Sequence, residues 1–234
     1  MKLRIDKYLA DMGIGSRRQI KDFIRDGLVS VNGKTVTSPN TKVDTDCDNI
    51  FFGSELVEYV RYEYYVINKP AGVISATEDA HAATVVDLIK EAKKDVFPVG
   101  RLDKDTEGLL LVTNDGMLAH NLLSPKKHVD KKYYAEVLGT LTSDHVKLVE
   151  EGLQVDEDFK ALPAVLEIIE ADSTHSSCYI TIREGKYHQI KRMMEAMGCQ
   201  VTYLKRLSMG ALRLPENLKP GEYVRLSAED IKKL

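Results

Sequence analysis

The stretch GRLDKDTEGLLLVTNDG, Gly100–Gly116, holds Asp103, Asp105, Glu107 and Asp115 around the apolar run Leu109–Val112. Carboxylates set this way can attack an electrophilic carbon or move a proton. As a pair about 5 to 10 Å apart, they can hydrolyse a glycosidic bond. They can equally be turn residues and helix caps. Asp103 follows the apolar approach PVGRL and precedes the strand candidate by a few residues. A loop fixed at both ends by core elements is a good platform for a reagent, whereas Asp105, Asn114 and Asp115 fit turn and cap roles better. Glycoside hydrolysis would call for sugar-stacking aromatics, and the chain has no tryptophan.

Other chemistries are excluded by pattern. There is no GxxxxGK[ST] loop, GxGxxG turn, GxSxG elbow or HExxH helix. The six histidines lack zinc-ligand spacing, so neither a metal nor a cofactor is expected. Tyr133 in KKYYAEV reads by itself as strand packing, with Tyr134 on the opposite side and in the core. Lys191 in HQIKRM reads by itself as a surface residue beside buried Ile190 and Met194. Arg192, one position on, points about 100° away on a helix.

The elements that must hold these residues follow from periodicity. EYYVINKPAGVIS is a strand broken by Pro70 and Gly72, and TVVDLIKEAKK is a helix capped by Thr84 with Val85, Leu88 and Ile89 inward. GLLLVTND is a buried strand and DGMLAHNLL a short helix. KKYYAEVLG is a strand and SDHVKLVEEGL a helix capped by Ser143. PAVLEIIE and SCYITIREG are strands, YHQIKRMMEAMG is a helix, and CQVTYLKRLSMGALRL is further strand. Strands outnumber helices without regular βαβ alternation, which predicts an α+β fold with a mainly antiparallel sheet.

The N-terminal residues have a different pattern. RIDKYLADMG carries Ile5, Tyr8, Leu9 and Met12 at helical spacing. Ser16 and Gln19 fit a capping box for a second helix, whose Arg17, Arg18, Lys21 and Arg25 form a basic face opposite Ile20, Phe23 and Ile24. Asn32-Gly33 is a hairpin turn signal. An Asp-rich turn follows, with a linker expected near Phe52–Arg61. Domains are therefore expected at 1–58 and 59–234.

A net charge of −3 conceals patterning. Residues 1–42 hold nine Lys or Arg against four Asp, and residues 183–213 hold seven against two Glu. Between them, residues 43–62 hold five acidic residues and one Arg. A basic face attracts phosphates whatever the global sum, although such runs are also ordinary solvated surface. Three scattered cysteines without a CxxC pair suit a reducing compartment, and no apolar run is long enough for a membrane helix. The start MKLRIDKYLADMG lacks the apolar region of a secretory signal. A cytoplasmic monomer that makes no membrane contact is expected.

Two resemblances join these readings. RIDKYLADMGIGSRRQIKDFIRDGLVSVNGKTV resembles the S4 RNA-binding domain, which implies RNA contacts from Arg4, Arg17, Arg18 and Lys21. GRLDKDTEGLLLVTNDG resembles the core motif of the pseudouridine synthases in the form used by the RsuA branch. YVINKPAGVIS, SPKKHVDKKYYAEV, REGKYHQIKRMMEAMGCQVTYLKRLSMGALRL and KPGEYVRLSAEDI resemble its other motifs, in order and over nearly the whole chain. The resemblance implies that Asp103 is the catalytic aspartate, paired with Lys191 where many of these enzymes have Arg. The cation would hold the aspartate ionised. Tyr133 takes the place of the tyrosine that stacks on the uracil and accepts the C5 proton. Arg101 takes the place of the arginine that props the site of a flipped base, and Leu204 lines the uracil pocket. Lys186, Lys205 and Arg206 would contact the RNA backbone. The implied reaction is isomerisation of uridine to pseudouridine in ribosomal RNA or an assembling subunit. GKYHQIKRM and LPAVLEII resemble the small-subunit enzymes most. A large-subunit enzyme and a non-catalytic S4-type protein that binds ribosomal RNA are the alternatives.

Overall fold

The computed structural model describes residues 1–92, 95–124 and 127–232. The chain forms two compact units, Met1–Glu63 with Glu91–Asp95, and Tyr64–Lys90 with Val96–Leu234.

In the first unit the chain runs through β1 (Lys2–Arg4), α1 (Ile5–Asp11), α2 (Arg17–Arg25), β2 (Val29–Val31), β3 (Lys34–Thr35), β4 (Lys42–Asp44), β5 (Ile50–Phe52) and β6 (Glu55–Leu56). The expected capping box is present: Gln19 N–H donates to Ser16 Oγ at 3.3 Å, and Ser16 N–H donates to Gln19 Oε1 at 2.9 Å. Asn32 and Gly33 both take positive φ, 51° and 78°, and turn β2 into β3. Ile5, Tyr8, Leu9, Ile20, Ile24 and Ile50 build the core. The segment Phe52–Arg61, read above as a linker, is not one. Its start pairs as β5–β6, and Val57, Tyr59 and Val60 pack on that core. Tyr8 Oη also donates to the Val57 carbonyl at 2.6 Å. The apolar residues there have a core within reach, and burying them outweighs the freedom of a linker.

The second unit contains β7 (Tyr64–Lys69), a 3₁₀ turn (Val86–Leu88), β8 (Phe97–Pro98), β9 (Glu107–Thr113), α3 (Gly116–Leu123), β10 (Lys131–Leu138) and α4 (Ser143–Glu151). It continues through β11 (Val165–Ala171), β12 (His175–Ile182), α5 (Gln189–Ala196), β13 (Gln200–Met209), β14 (Leu212–Arg213), β15 (Tyr223–Arg225) and α6 (Ala228–Ile231). One sheet runs β11-β12-β10-β13-β9-β7-β15, with β14 on β13 and β8 on β9. Among the described strands its ladders are antiparallel except β9 with β13. The fold is α+β, as expected. The β9–β13 approach is close enough that a Cβ on Gly108, at φ +100°, would sit 2.2 Å from the Arg206 carbonyl oxygen.

Three expectations about the elements of the second unit differ from the structure. The helix expected over 84–94 is a single 3₁₀ turn, and positions 93 and 94 lie outside the described residues. Thr84 and Asp87 exchange side-chain-to-backbone hydrogen bonds as a helix start would. Yet Val85 N–H donates to the Ile74 carbonyl, and Ile89 turns to ψ 83°. Val85 and Ile89 are buried without further helix. Ser143 is the first residue of α4, and Thr142 precedes it as the cap. Tyr134 is not in the core. The buried residues of β10 are Lys131, Tyr133, Ala135 and Val137, which leaves Tyr134 half-buried with its hydroxyl on Glu136.

Candidate active site

Asp103 sits in the loop between β8 and β9. That loop is fastened from beneath by the segment after β7. Ser75 Oγ donates to the Leu102 carbonyl at 2.9 Å and accepts from Leu102 N–H at 3.0 Å. Gly72 N–H donates to the Lys104 carbonyl at 2.8 Å. Lys69, fully buried, donates from Nζ to the carbonyls of Pro70, Lys104 and Thr106 at 3.0, 3.3 and 2.8 Å. Burial lowers the Lys69 ammonium to about 8, against the pull of Asp105, Glu107 and Asp103. These bonds explain why NKPAGVIS has to accompany GRLD: one segment holds the backbone of the other.

Around Asp103 a cleft is lined by Arg101, Thr106, Tyr133, Lys186, His188, Lys191 and Leu204. Tyr133 reaches it from β10, 7% exposed, and Leu204 from β13, 6% exposed. Lys191 comes from the first turn of α5, whose Ile190 and Met194 are buried as expected. The three residues expected to act together, Asp103, Tyr133 and Lys191, therefore line one cleft, with Arg101, Leu204 and Lys186 beside them.

Lys191 Nζ lies 3.4 Å from Asp103 Oδ2 but 2.7 and 2.8 Å from the two oxygens of Asp105. The Asp105 carboxylate, expected to serve the turn, is thus spent on the lysine. The hydrogen bond from Lys191 holds the Asp105 carboxyl below its ordinary value, against some burial. Burial opposes the Lys191 charge, but the bond to Asp105 and the charges of both aspartates raise it above its ordinary value. On the other side, His188 Nε2 is 3.6 Å from Asp103 Oδ1. Asp115 does cap α3, accepting from Met117 and Leu118 N–H at 3.1 Å. Arg192 points away from the cleft, onto Asp156.

Arg206 must be withdrawn as an RNA contact. It is 2% exposed, and its Nε donates to the Leu109 carbonyl at 2.7 Å. Arg206 stands opposite Tyr133 and alternates in phase with buried Leu204, so its side chain turns into the protein. Lys205 remains half-exposed and Lys186 exposed. In the first unit Arg17, Arg18 and Lys21 are exposed, whereas Arg4 forks onto Asp6 at 3.1 and 2.6 Å while staying 51% exposed. Sequence reasoning missed His188, Thr106 and Lys69. Thr106 Oγ1 is buried without a hydrogen-bond partner among the described residues and faces the cleft. His188 carries no periodic signal, because it caps α5 in a left-handed conformation at φ 48°.

Among the described residues no group of His, Cys, Asp and Glu is placed to hold a metal ion, and no helix is long and apolar enough to cross a membrane.

An aspartate on a clamped loop, facing a tyrosine and a lysine from a neighbouring strand and helix on a mostly antiparallel sheet, defines a class that the comparisons identify. Residues 63–196 match the RNA pseudouridylate synthase family and residues 3–50 the S4 domain, and the chain belongs to that synthase family. It is 46% identical to the uncharacterized RNA pseudouridine synthase YtzG of Bacillus subtilis, covering 98% of this chain and 97% of that one. Ribosomal large subunit pseudouridine synthase B of the same organism is 38% identical, covering 99% and 95%. Ribosomal small subunit pseudouridine synthase A of Vibrio vulnificus is 38% identical, covering 98% of each. A crystal structure of a pseudouridylate synthase, 33% identical and covering 99% of each chain, superposes with a TM-score of 0.68.

Proposed function

We propose that this protein isomerises a uridine in ribosomal RNA to pseudouridine, and that small-subunit RNA is its substrate. The observation that carries the reading is the meeting of Asp103, Tyr133 and Lys191 in one cleft of a chain from this family. The small-subunit choice rests on GKYHQIKRM and LPAVLEII, and relatives named for either subunit are equally similar.

The proposed roles follow from the chemistry of each group. The uridine leaves its stack, at a cost of a few kcal/mol, to reach Asp103. Arg101, exposed at the rim, props the place it vacates. As a nucleophile, the Asp103 carboxylate bonds to C1′ while the N1–C1′ bond breaks and is released again as C5 takes its place. As a base, it removes the C2′ proton while N1–C1′ breaks and returns it to C2′ when C5 adds to C1′. The base turns against Tyr133 and Leu204, and C5 bonds to C1′. Tyr133 then takes the C5 proton, which passes to solvent and restores the aromatic ring. Lys191, its Nζ 3.4 Å from Asp103 Oδ2, sets a positive charge beside the reacting carboxylate. Arg17, Arg18 and Lys21, with Arg4, grip phosphates from the S4 unit, and Lys186 and Lys205 do so near the cleft. Such contacts give affinity and orientation rather than sequence choice.

The test is release of tritium from ribosomal RNA labelled at uridine C5. Release from small-subunit RNA that Asp103→Asn abolishes, with RNA binding retained, is the expected result. Release from large-subunit RNA alone transfers the substrate to the other subunit. No release from either RNA, naked or in assembling particles, overturns the enzyme in favour of a non-catalytic RNA-binding protein.

A further inference from the structure

Continuous with the cleft at Asp103 is a wider one, which shares Arg101, Asp103, Lys186 and His188 with it. It adds Lys104, Asp79 and Tyr187, and the reaction above gives Lys104 and Tyr187 no role. Tyr187 is 77% exposed, an unusual position for a large aromatic ring. One face of the ring is covered by the imidazole of His188, with centroids 3.8 Å apart and planes 16° from parallel. The exposure leaves the other face to solvent. His188 in turn approaches Asp103 to 3.6 Å, so the stack begins at the reacting carboxylate and leads outward.

The ring stands on a braced loop. Gln189, 4% exposed, accepts from Lys186 N–H at 3.0 Å through Oε1 and donates through Nε2 to Glu184 at 2.9 Å. Gln189 N–H donates back to the Lys186 carbonyl at 3.2 Å. Left-handed backbone at His188 is costly for a residue with a side chain, and such geometry gathers at functional sites. Tyr187 gains little from the core where it stands. A rigid aromatic face beside Lys104, Lys186 and Arg101 matches single-stranded nucleic acid: flat bases stack on rings, and cations take the phosphates between them.

Resting on the proposed RNA substrate, we propose that the Tyr187–His188 stack is a second nucleobase site. It holds the base next to the target uridine in the strand, with Lys186 and Lys104 on the adjoining phosphates. Stacking accepts any base, so this site sets how the strand lies across the cleft and leaves choice of sequence to other contacts.

The test uses the full chain and a ribosomal RNA fragment in which the modified uridine has been located. In tritium release, Tyr187→Ala should raise KM about tenfold, with the loss in KM rather than kcat, and Tyr187→Phe should restore it. Replacing the base on one side of the uridine by an abasic residue should raise KM for the wild type and erase the difference from Tyr187→Ala. An unchanged KM in Tyr187→Ala overturns the site. So does a loss that persists undiminished with an abasic residue on either side. If the wild type releases no tritium, the proposed reaction falls, and the site is read separately from affinity for a short single-stranded oligouridylate. Weaker binding by Tyr187→Ala than by Tyr187→Phe supports the site, and equal binding overturns it.

Discussion

The two basic segments look alike in sequence and fare differently in the fold. In residues 1–42 the basic side chains of α2 stay exposed on one helix face above a core of Ile20 and Ile24. In residues 183–213 a similar excess of charge is largely spent on partners within the protein, both at its surface and in its interior. Lys191 lies between two aspartates, Arg192 pairs with Asp156 and Arg183 with Asp130, and Arg206 is buried on a carbonyl. Lys186 and Lys205 remain outside. A local charge count therefore measures how much charge a segment carries, not how much it offers to a partner. The first unit leaves Arg17, Arg18 and Lys21 open to solvent, and the second uses its charge to fix the position of a few groups.

Four experiments can break or sharpen that contrast. Asp103→Asn should lower tritium release by at least about 10³-fold while leaving RNA affinity within roughly twofold, the pattern of a lost reagent. A parallel fall in affinity would put Asp103 in the same class as the surface charges. Arg206→Ala should cost roughly 3 kcal/mol in denaturant unfolding, since it empties a packed site and leaves the Leu109 carbonyl unpaired. Its salt dependence of RNA binding should match the wild type, and a shallower slope would return Arg206 to the RNA surface. The triple change Arg17→Ala, Arg18→Ala, Lys21→Ala should do the reverse. Stability should hold, affinity should fall about tenfold or more, and the slope of log affinity against log salt should flatten by ~0.7 to 0.9 per lost phosphate contact.

The smallest effect concerns Lys69. Its folded value of about 8 lies below its ordinary 10.5, so between the two the unfolded chain binds the additional proton. Stability then rises with pH across that window. Unfolding titrations from pH 7 to about 9, below the range where the raised Cys178, Tyr59 and Tyr203 groups act in the opposite direction, should show the rise in the wild type and lose it in Lys69→Met. A rise that survives the substitution would assign it to other groups.

Local features were legible in the sequence wherever neighbours in the chain determine them. The Ser16–Gln19 box, the Asn32-Gly33 turn and the Asp115 cap are short-range hydrogen-bonding patterns, and they stand where the sequence puts them. Position 84–94 shows the limit of such signals. The cap at Thr84 forms, but a bond from Val85 to Ile74 across the unit ends the helix after one turn. The cleft itself joins residues far apart in the chain, and only the motif order named Asp103, Tyr133 and Lys191 as a set. The burial of Arg206 follows the strand alternation it shares with Leu204, and it was masked because an arginine in a basic run reads as surface. The preference of Lys191 for Asp105 could not be read either, since it depends on ångström differences between two carboxylates in the same loop.

The clamp on the Asp103 loop has a kinetic consequence. Catalytic loops are commonly drawn from the least protected parts of a protein and open on their own. Here the Leu102 amide is held by Ser75, and the loop carbonyls are held by Lys69, the last residue of β7. The Leu102 and Gly72 amides should exchange with deuterium as slowly as those of the central strands, because freeing them requires opening the sheet. With the backbone around Asp103 held in this way, the proposed reaction leaves the motion that brings reactants together to the nucleic acid.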